Sequence, residues 1–187
     1  MEQMKDRIAV YARKQFDEHG FHGAALRDIC ELSGCKMPTL YYYYESKETL
    51  YDRVVGDAFT NLVPHLWAKL PVGVDAEEYA VQMVIQKKHL TEDERLVYRL
   101  AMKTWLGFED CGSCRQRLLD WEQKAYEDSW KRYHNIVGSR KWAKFISRAI
   151  TAIIQRIILM DESISDEEIR EEINMIFNVA TYTSRKI

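Results

Sequence analysis

The chain has 187 residues, 47% of them apolar and 30% charged, and a formal net charge of −2. These totals suit a soluble globular protein of one or two domains. No apolar run reaches the ~20 residues that span a bilayer, and no basic–apolar–small leader opens the chain, so no membrane partner is expected. Residues 1–60 hold 8 Lys+Arg against 10 Asp+Glu, so no basic patch announces a polyanion.

In chain order, periodicity predicts an all-α fold of about nine helices. The first runs from about Glu2 to His19, with Ile8, Ala12 and Phe16 on one face and Gly20 as its C-terminal stop. The second covers Leu26 to Ser33 and buries Leu26, Ile29 and Cys30. Gly34 makes a turn, and a short third helix spans Met37 to Tyr43, with Pro38 in its first turn. Ser46 caps a fourth helix that reaches about Val63, where Pro64 bends or ends it. After a loop at 71–74, Asp75 with Glu78 opens the fifth. Thr91 with Glu94 forms a capping box for the sixth, and Ser113 with Gln116 one for the seventh. Gly138-Ser139 turns the chain into an eighth helix ending near Met160, and Ser165 with Glu168 caps the ninth.

The stretch from Gly20 to Leu50 has the layout of a helix-turn-helix DNA reader, whose second helix enters the major groove. Gly34 permits the left-handed turn. Leu40 and Tyr44, four apart, face inward. Met37, Thr39, Tyr41, Tyr42 and Tyr43 are left for the outer surface and the helix start. Exposed aromatics on a short helix are costly without a partner. DNA supplies one, because tyrosine hydroxyls bond phosphates and rings lie against thymine methyls. Lys47 lies in the first turn of the fourth helix, where the macrodipole disfavours a cation. It is either a solvated lysine balanced by Glu45 and Glu48 or a phosphate ligand, and beside the tyrosines the phosphate reading is favoured.

Residues 5–55 resemble the DNA-binding domain of the TetR family of one-component bacterial regulators. The resemblance lies in Gly20-Phe21, Leu26-Arg27-Asp28-Ile29, Gly34, Thr39-Leu40-Tyr41-Tyr42-Tyr43-Tyr44 and Ser46-Lys47-Glu48-Thr49-Leu50. It implies DNA contacts from Lys36, Met37, Thr39, Tyr41, Tyr42 and Tyr43, a phosphate clamp at Lys47 and a further contact at Arg27. Ala24 and Ala25 stand where the family often has a capping Thr or Ser, so that phosphate contact is expected to be missing. Cys35 and Tyr44 replace the usual valine and phenylalanine. The implied organisation is a reader at 1–46 and a helical ligand-binding and dimerisation domain at 47–187.

Three further groups need weighing. The eighth helix carries Trp142, Phe145, Ile146, Ala149, Ile150, Ile153, Ile154, Ile157 and Ile158, and the ninth Ile169, Ile173, Ile176, Phe177 and Ala180. They form either an internal core or a four-helix homodimer interface. The middle helices hold Trp67, Tyr98, Met102, Trp105, Trp121 and Tyr126. These are ordinary core, or, by the resemblance, walls of a site for a small, mostly apolar or aromatic effector. Cys111 and Cys114 form a CxxC motif at a helix start, with Glu109 and Asp110 alongside opposing thiolate formation. In falling order, the pattern fits ordinary loop cysteines, a redox sensor or thiol oxidoreductase, and a metal site. The expected protein is a cytoplasmic, ligand-responsive, homodimeric repressor of a near-palindromic double-stranded operator, not an enzyme, with no cofactor and no metal.

Overall fold

The structure is a computed structural model, described here for residues 4–109 and 111–184. The described residues form nine helices and no strand. They are α1 (Met4–Gly23), α2 (Leu26–Ser33), α3 (Met37–Tyr43), α4 (47–67), α5 (Ala76–Lys88), α6 (Glu92–Trp105), α7 (Gly112–Val137), α8 (Arg140–Leu159) and α9 (Asp166–Ser184). The expected start of α1 at Glu2 lies outside the described residues. None of the helices is long and apolar enough to cross a membrane.

Packing divides the chain into two compact units, Met1–Val63 with Thr91–Asp120, and Pro64–Leu90 with Trp121–Ile187. In the first, Ile8, Ala12 and Phe16 of α1 are wholly buried, joined by Ile29, Leu40 and Leu50. Tyr51 meets Phe16 edge-on at 4.8 Å and Phe21 at 5.3 Å. Ion pairs tie α6 along α1. Arg13 grips Asp93 bidentately at 2.7 and 2.5 Å, and Lys103 Nζ donates to Asp17 Oδ1 at 2.7 Å.

Four local expectations change. Helical turns continue past His19, because Gly20 (φ 71°, ψ 171°) kinks the chain and a further turn follows to Gly23. Leu26 is only half-buried, at the solvent edge of α2. Helix α4 passes through Pro64 to Trp67; the proline ring is exposed and buried Leu66 draws the helix onward. Helix α7 starts at Gly112, ahead of Ser113, and Gln116 donates to Asp120 at 2.9 Å instead of closing a capping box. The boxes at Thr91/Glu94 and Ser165/Glu168 do form.

Within α4, Asp52–Asp57 is π-helical. Residues five apart lie about 140° apart around an α-helix, whereas a π turn stacks them. That stacking aims both carboxylates at one guanidinium. Arg117 of α7 pairs with Asp52 and Asp57 together and also donates to the Asp52 carbonyl at 2.8 Å.

In the second unit, Ile146, Ile150, Ile153, Ile154, Ile157 and Ile158 of α8 are buried within the single chain, as are Ile169, Ile173, Phe177 and Ala180 of α9. Most of the apolar stripe is therefore internal core. Phe145, Met175, Val179 and Tyr182 remain exposed. Tyr133 meets Phe177 edge-on at 5.6 Å, and Arg170 reaches Glu78 at 2.5 Å.

Candidate nucleic-acid interface

The turn between α2 and α3 is built on Gly34. Its φ of 69° and ψ of 26° are left-handed, and its N–H satisfies carbonyls at the end of α2. An added Cβ there would come 3.2 Å from Arg7 Nη2, the end of a flexible side chain, so it is the positive φ that asks for glycine. Helix α3 then starts with Lys36 as N-cap and Pro38 in its first turn. Leu40 (0% exposed) and Tyr44 (2%) anchor its inner side. The Tyr44 hydroxyl donates to the Lys5 carbonyl at 3.4 Å.

That anchoring turns the other tyrosines outward. Tyr41 is 48% exposed, Tyr42 82% and Tyr43 36%. The rings of Tyr42 and Tyr43 meet edge-on at 5.1 Å, forming an aromatic pair on the outer side of α3. Arg27 and Lys36 are exposed, whereas Met37 and Thr39 are half-buried. Met37 Sδ lies 3.4 Å from Cys30 Sγ, so that side chain leans back on α2.

Lys47 has a defined setting. Its ammonium donates to the His22 carbonyl at 3.1 Å and lies 5.2 Å from the centre of the Phe21 ring. Partial burial lowers its pKa, with the Glu48 charge opposing that shift. Glu48 is held below the ordinary carboxylate range first by its own backbone N–H and then by Ser46. Ser46 Oγ accepts the Thr49 N–H at 3.1 Å, capping α4. Ala25 precedes α2 with no side-chain cap, as its methyl group dictates.

Two residues that sequence reasoning did not count among the DNA contacts share this neighbourhood. Phe21 supplies the ring beneath Lys47. Glu109, in the loop after α6, accepts the Phe21 N–H at 2.7 Å. No local signal could reveal this bond, because its partners lie 88 residues apart.

The residues named for an effector fall in both units. In the first, Tyr98 and Trp105 meet the Phe59 ring at 5.0 and 5.6 Å, beside buried Met102. In the second, Trp67 and Trp121 lie 5.7 Å apart, and Tyr126 carries Lys144 and Arg148 over its ring at 5.5 and 5.8 Å.

All four cysteines are free thiols, and Cys111 and Cys114 are buried. Burial first, then the Asp52 charge, pushes the Cys114 thiol up to about 12, which withholds the reactive thiolate. Asp110, expected to oppose thiolate formation beside them, lies outside the described residues. Among the described residues no group of three or more His, Cys, Asp or Glu is placed to hold a metal.

A tyrosine-bearing helix set on a glycine turn, with a lysine at the next helix start, defines the class: a helix-turn-helix head followed, among the described residues, by helices and no strand. Residues 8–54 match the family described as bacterial regulatory proteins, tetR family. The chain is 36% identical over 63 residues, 34% of each chain, to the biofilm operon icaADBC HTH-type negative transcriptional regulator IcaR of Staphylococcus epidermidis. It is 29% identical over 105 residues to IcaR of Staphylococcus aureus strain Newman, covering 48% of this chain and 56% of the relative. The matched segments thus span between a third and just over half of those relatives' lengths. The fold is shared with Salmonella enterica GusR (TM-score 0.70, 19% identity, 97% and 95% of the two chains). It is also shared with a transcriptional regulator from Rhodococcus sp. RHA1 (TM-score 0.67, 13% identity, 96% of each chain). Residues 8–54 are thus similar to the DNA-binding segment of the tetR family of bacterial regulatory proteins, and the fold of the whole chain is one that those regulators share.

Proposed function

We propose that this chain is a homodimeric transcriptional repressor that reads a near-palindromic operator in double-stranded DNA and releases it on binding a small, mostly apolar or aromatic effector. The observation that carries the DNA reading is α3, whose Tyr41, Tyr42 and Tyr43 point outward from a rigid glycine-turn mount while Leu40 and Tyr44 hold it down. Arg27, Lys36, Met37 and Thr39 complete the contact set, and Lys47 holds a phosphate. In this reading residues 1–46 are the reader and 47–187 serve effector binding and dimerisation, in the cytoplasm. The negative sign of regulation follows the relatives' description as negative regulators.

The exposed Phe145, Met175, Val179 and Tyr182 of α8 and α9 supply the apolar face for a second copy. Two readers then sit about one helical turn, roughly 34–36 Å, apart on the duplex. An effector held by Tyr98, Met102 and Trp105 in the first unit, or by Trp67, Trp121 and Tyr126 in the second, must bind the DNA-incompetent arrangement better, or nothing is switched. A thiol-based sensor or oxidoreductase centred on Cys111 and Cys114 is the weaker reading, since both are buried out of reach and burial keeps Cys114 protonated.

The test starts from duplexes selected by the wild-type protein from a random-sequence pool. Tyr42→Ala should lower affinity for the selected duplex by at least about tenfold, the worth of one good base-edge contact. Its mass in native mass spectrometry should remain that of a dimer. Unchanged affinity would overturn the assignment of α3 as the reading helix.

A further inference from the structure

We propose that Glu109 is a positioning residue of the DNA-reading head, fixing from outside it the turn that presents Lys47. The proposal rests on the reading of residues 1–46 as a nucleic-acid reader and assigns the residue that holds one end of it in place.

The argument begins at Gly20. Its φ of 71° breaks α1, and the chain re-enters a helical turn at Phe21. The first N–H groups of any helical turn lack partners within it. Here the Phe21 N–H is taken by the Glu109 carboxylate at 2.7 Å, so the cap comes from 88 residues away. The approach is close enough that a Cβ on Gly20 would meet both Glu109 carboxylate oxygens at 3.4 Å. That is ordinary van der Waals contact, so it is the positive φ of the turn, not the carboxylate, that asks for glycine at position 20.

The turn Glu109 caps has two products. It seats the Phe21 ring against Phe16 and Tyr51, and it directs the His22 carbonyl to Lys47 Nζ at 3.1 Å. Lys47 is thus held by the backbone of one residue and the ring of its neighbour, both set by the same cap. The turn then leads directly into α2, whose N-cap residue, Ala25, offers no side-chain cap. Glu109 supplies, one turn upstream, the anchorage that Ala25 does not.

The carboxylate is itself held at both ends of its loop. Ahead of it, Lys103 of α6 pairs with Asp17 of α1 at 2.7 Å, and the Phe108 N–H closes on the Lys103 carbonyl at 2.8 Å. Beyond it, Arg117 is gripped by Asp52 and Asp57 of α4. Glu109 thus touches the reader between two anchorages, one on α1 and one on α4.

The experiment compares wild type, Glu109→Gln and Glu109→Ala as full-length protein. Residue-resolved amide exchange should show the Phe21 amide exchanging at least about tenfold faster in Glu109→Ala, the scale of losing a bond to a charged acceptor. Exchange at Ile8 to Gln15 of α1 should stay unchanged. Glu109→Gln, whose amide oxygen still accepts, should restore most of the protection. An unchanged Phe21 rate, or a uniform rise across α1, would overturn the proposal.

The second readout is affinity for a 20-base-pair random-sequence duplex at low salt. Glu109→Ala and Lys47→Ala should each weaken it severalfold, and the double variant should lose no more than Lys47→Ala alone. Fully multiplicative losses would overturn the link to Lys47. A wild-type protein that fails to bind any duplex would instead sink the DNA reading, with the exchange result still deciding the role of Glu109.

Discussion

Gly56→Ala replaces the worst helix former but proline with the best, and in an ordinary helix it would stabilise by about 1 kcal/mol. Here it should destabilise. A Cβ on Gly56 would overlap the Arg117 guanidinium, with its Cζ at 3.0 Å and Nε at 3.1 Å. The guanidinium is a flexible end, but it is tied to Asp52, Asp57 and the Asp52 carbonyl. Moving it aside weakens all three ties. Charged hydrogen bonds are worth about 1.5–3 kcal/mol each when shielded, and exposed ion pairs about 0–1. Arg117, Asp52 and Asp57 side chains are 35%, 29% and 39% exposed, so a discounted total suits them. We take about 2–3 kcal/mol for the set; subtracting the propensity gain leaves a net loss of about 1–2 kcal/mol. Urea unfolding of wild type, Gly56→Ala, Arg117→Met and the double variant measures it. In the Arg117→Met background the alanine should become neutral or stabilising, because the obstacle is gone. A Gly56→Ala protein more stable than wild type with Arg117 intact would refute the reasoning.

Two further outcomes follow from titration. Glu78, Glu162 and Glu168 all lie below the ordinary 4.5, the first two chiefly through Arg170 and Arg156 and the third through the Ser165 backbone. The folded chain therefore binds fewer protons than the unfolded one near that pH. The stability these groups contribute is full above 4.5 and is lost as pH falls through their lower folded values. The urea midpoint should be insensitive to them above about pH 5 and fall below about 4.5; a midpoint that rises on acidification contradicts the assignment. Among the thiols, Cys35 is half-buried while Cys30, Cys111 and Cys114 are buried. A disulfide reagent at about pH 8 should modify Cys35 first in native protein and Cys114 only on unfolding. Rapid modification of Cys114 would return weight to the thiol-centred reading.

The head was legible because its rules are local. A glycine at a left-handed turn, a proline in a first helical turn, and Leu40 and Tyr44 four apart each act over a few residues, and α2 and α3 formed with the expected bounds. What resisted reading was set by partners far along the chain. The six residues Asp52–Asp57 look like ordinary helix until Arg117 inserts between two of their carboxylates from 60 and 65 residues away. The Phe21 cap is likewise invisible until α6 lies along α1. The stripe on α8 shows the opposite limit: periodicity marked the apolar residues correctly but could not assign their partners. The fold spends most of them inside one chain and leaves Phe145 and the α9 residues Met175, Val179 and Tyr182 outside.

The head's charge balance argued against a DNA partner, and the ion pairs explain why the sum is a poor guide without reversing it. Asp17, Asp52 and Asp57 are held by Lys103, Arg99 and Arg117, all from outside residues 1–60. Arg13 and Lys14 are in turn spent on Asp93 and Glu92. Pairing therefore removes three acids and two bases, and the head stays close to neutral instead of becoming basic. A reader built this way has little counterion release to draw on. On the proposed function, its grip on phosphate comes from a few well-placed donors: Arg27, Lys36, the tyrosine hydroxyls and Lys47. With so few, the position of each counts for more. A lysine pinned to the His22 carbonyl and the Phe21 ring loses less freedom on meeting a phosphate than a solvated one would. The same scarcity gives the Glu109 cap its leverage, because it fixes the turn on which one of those few cations rests.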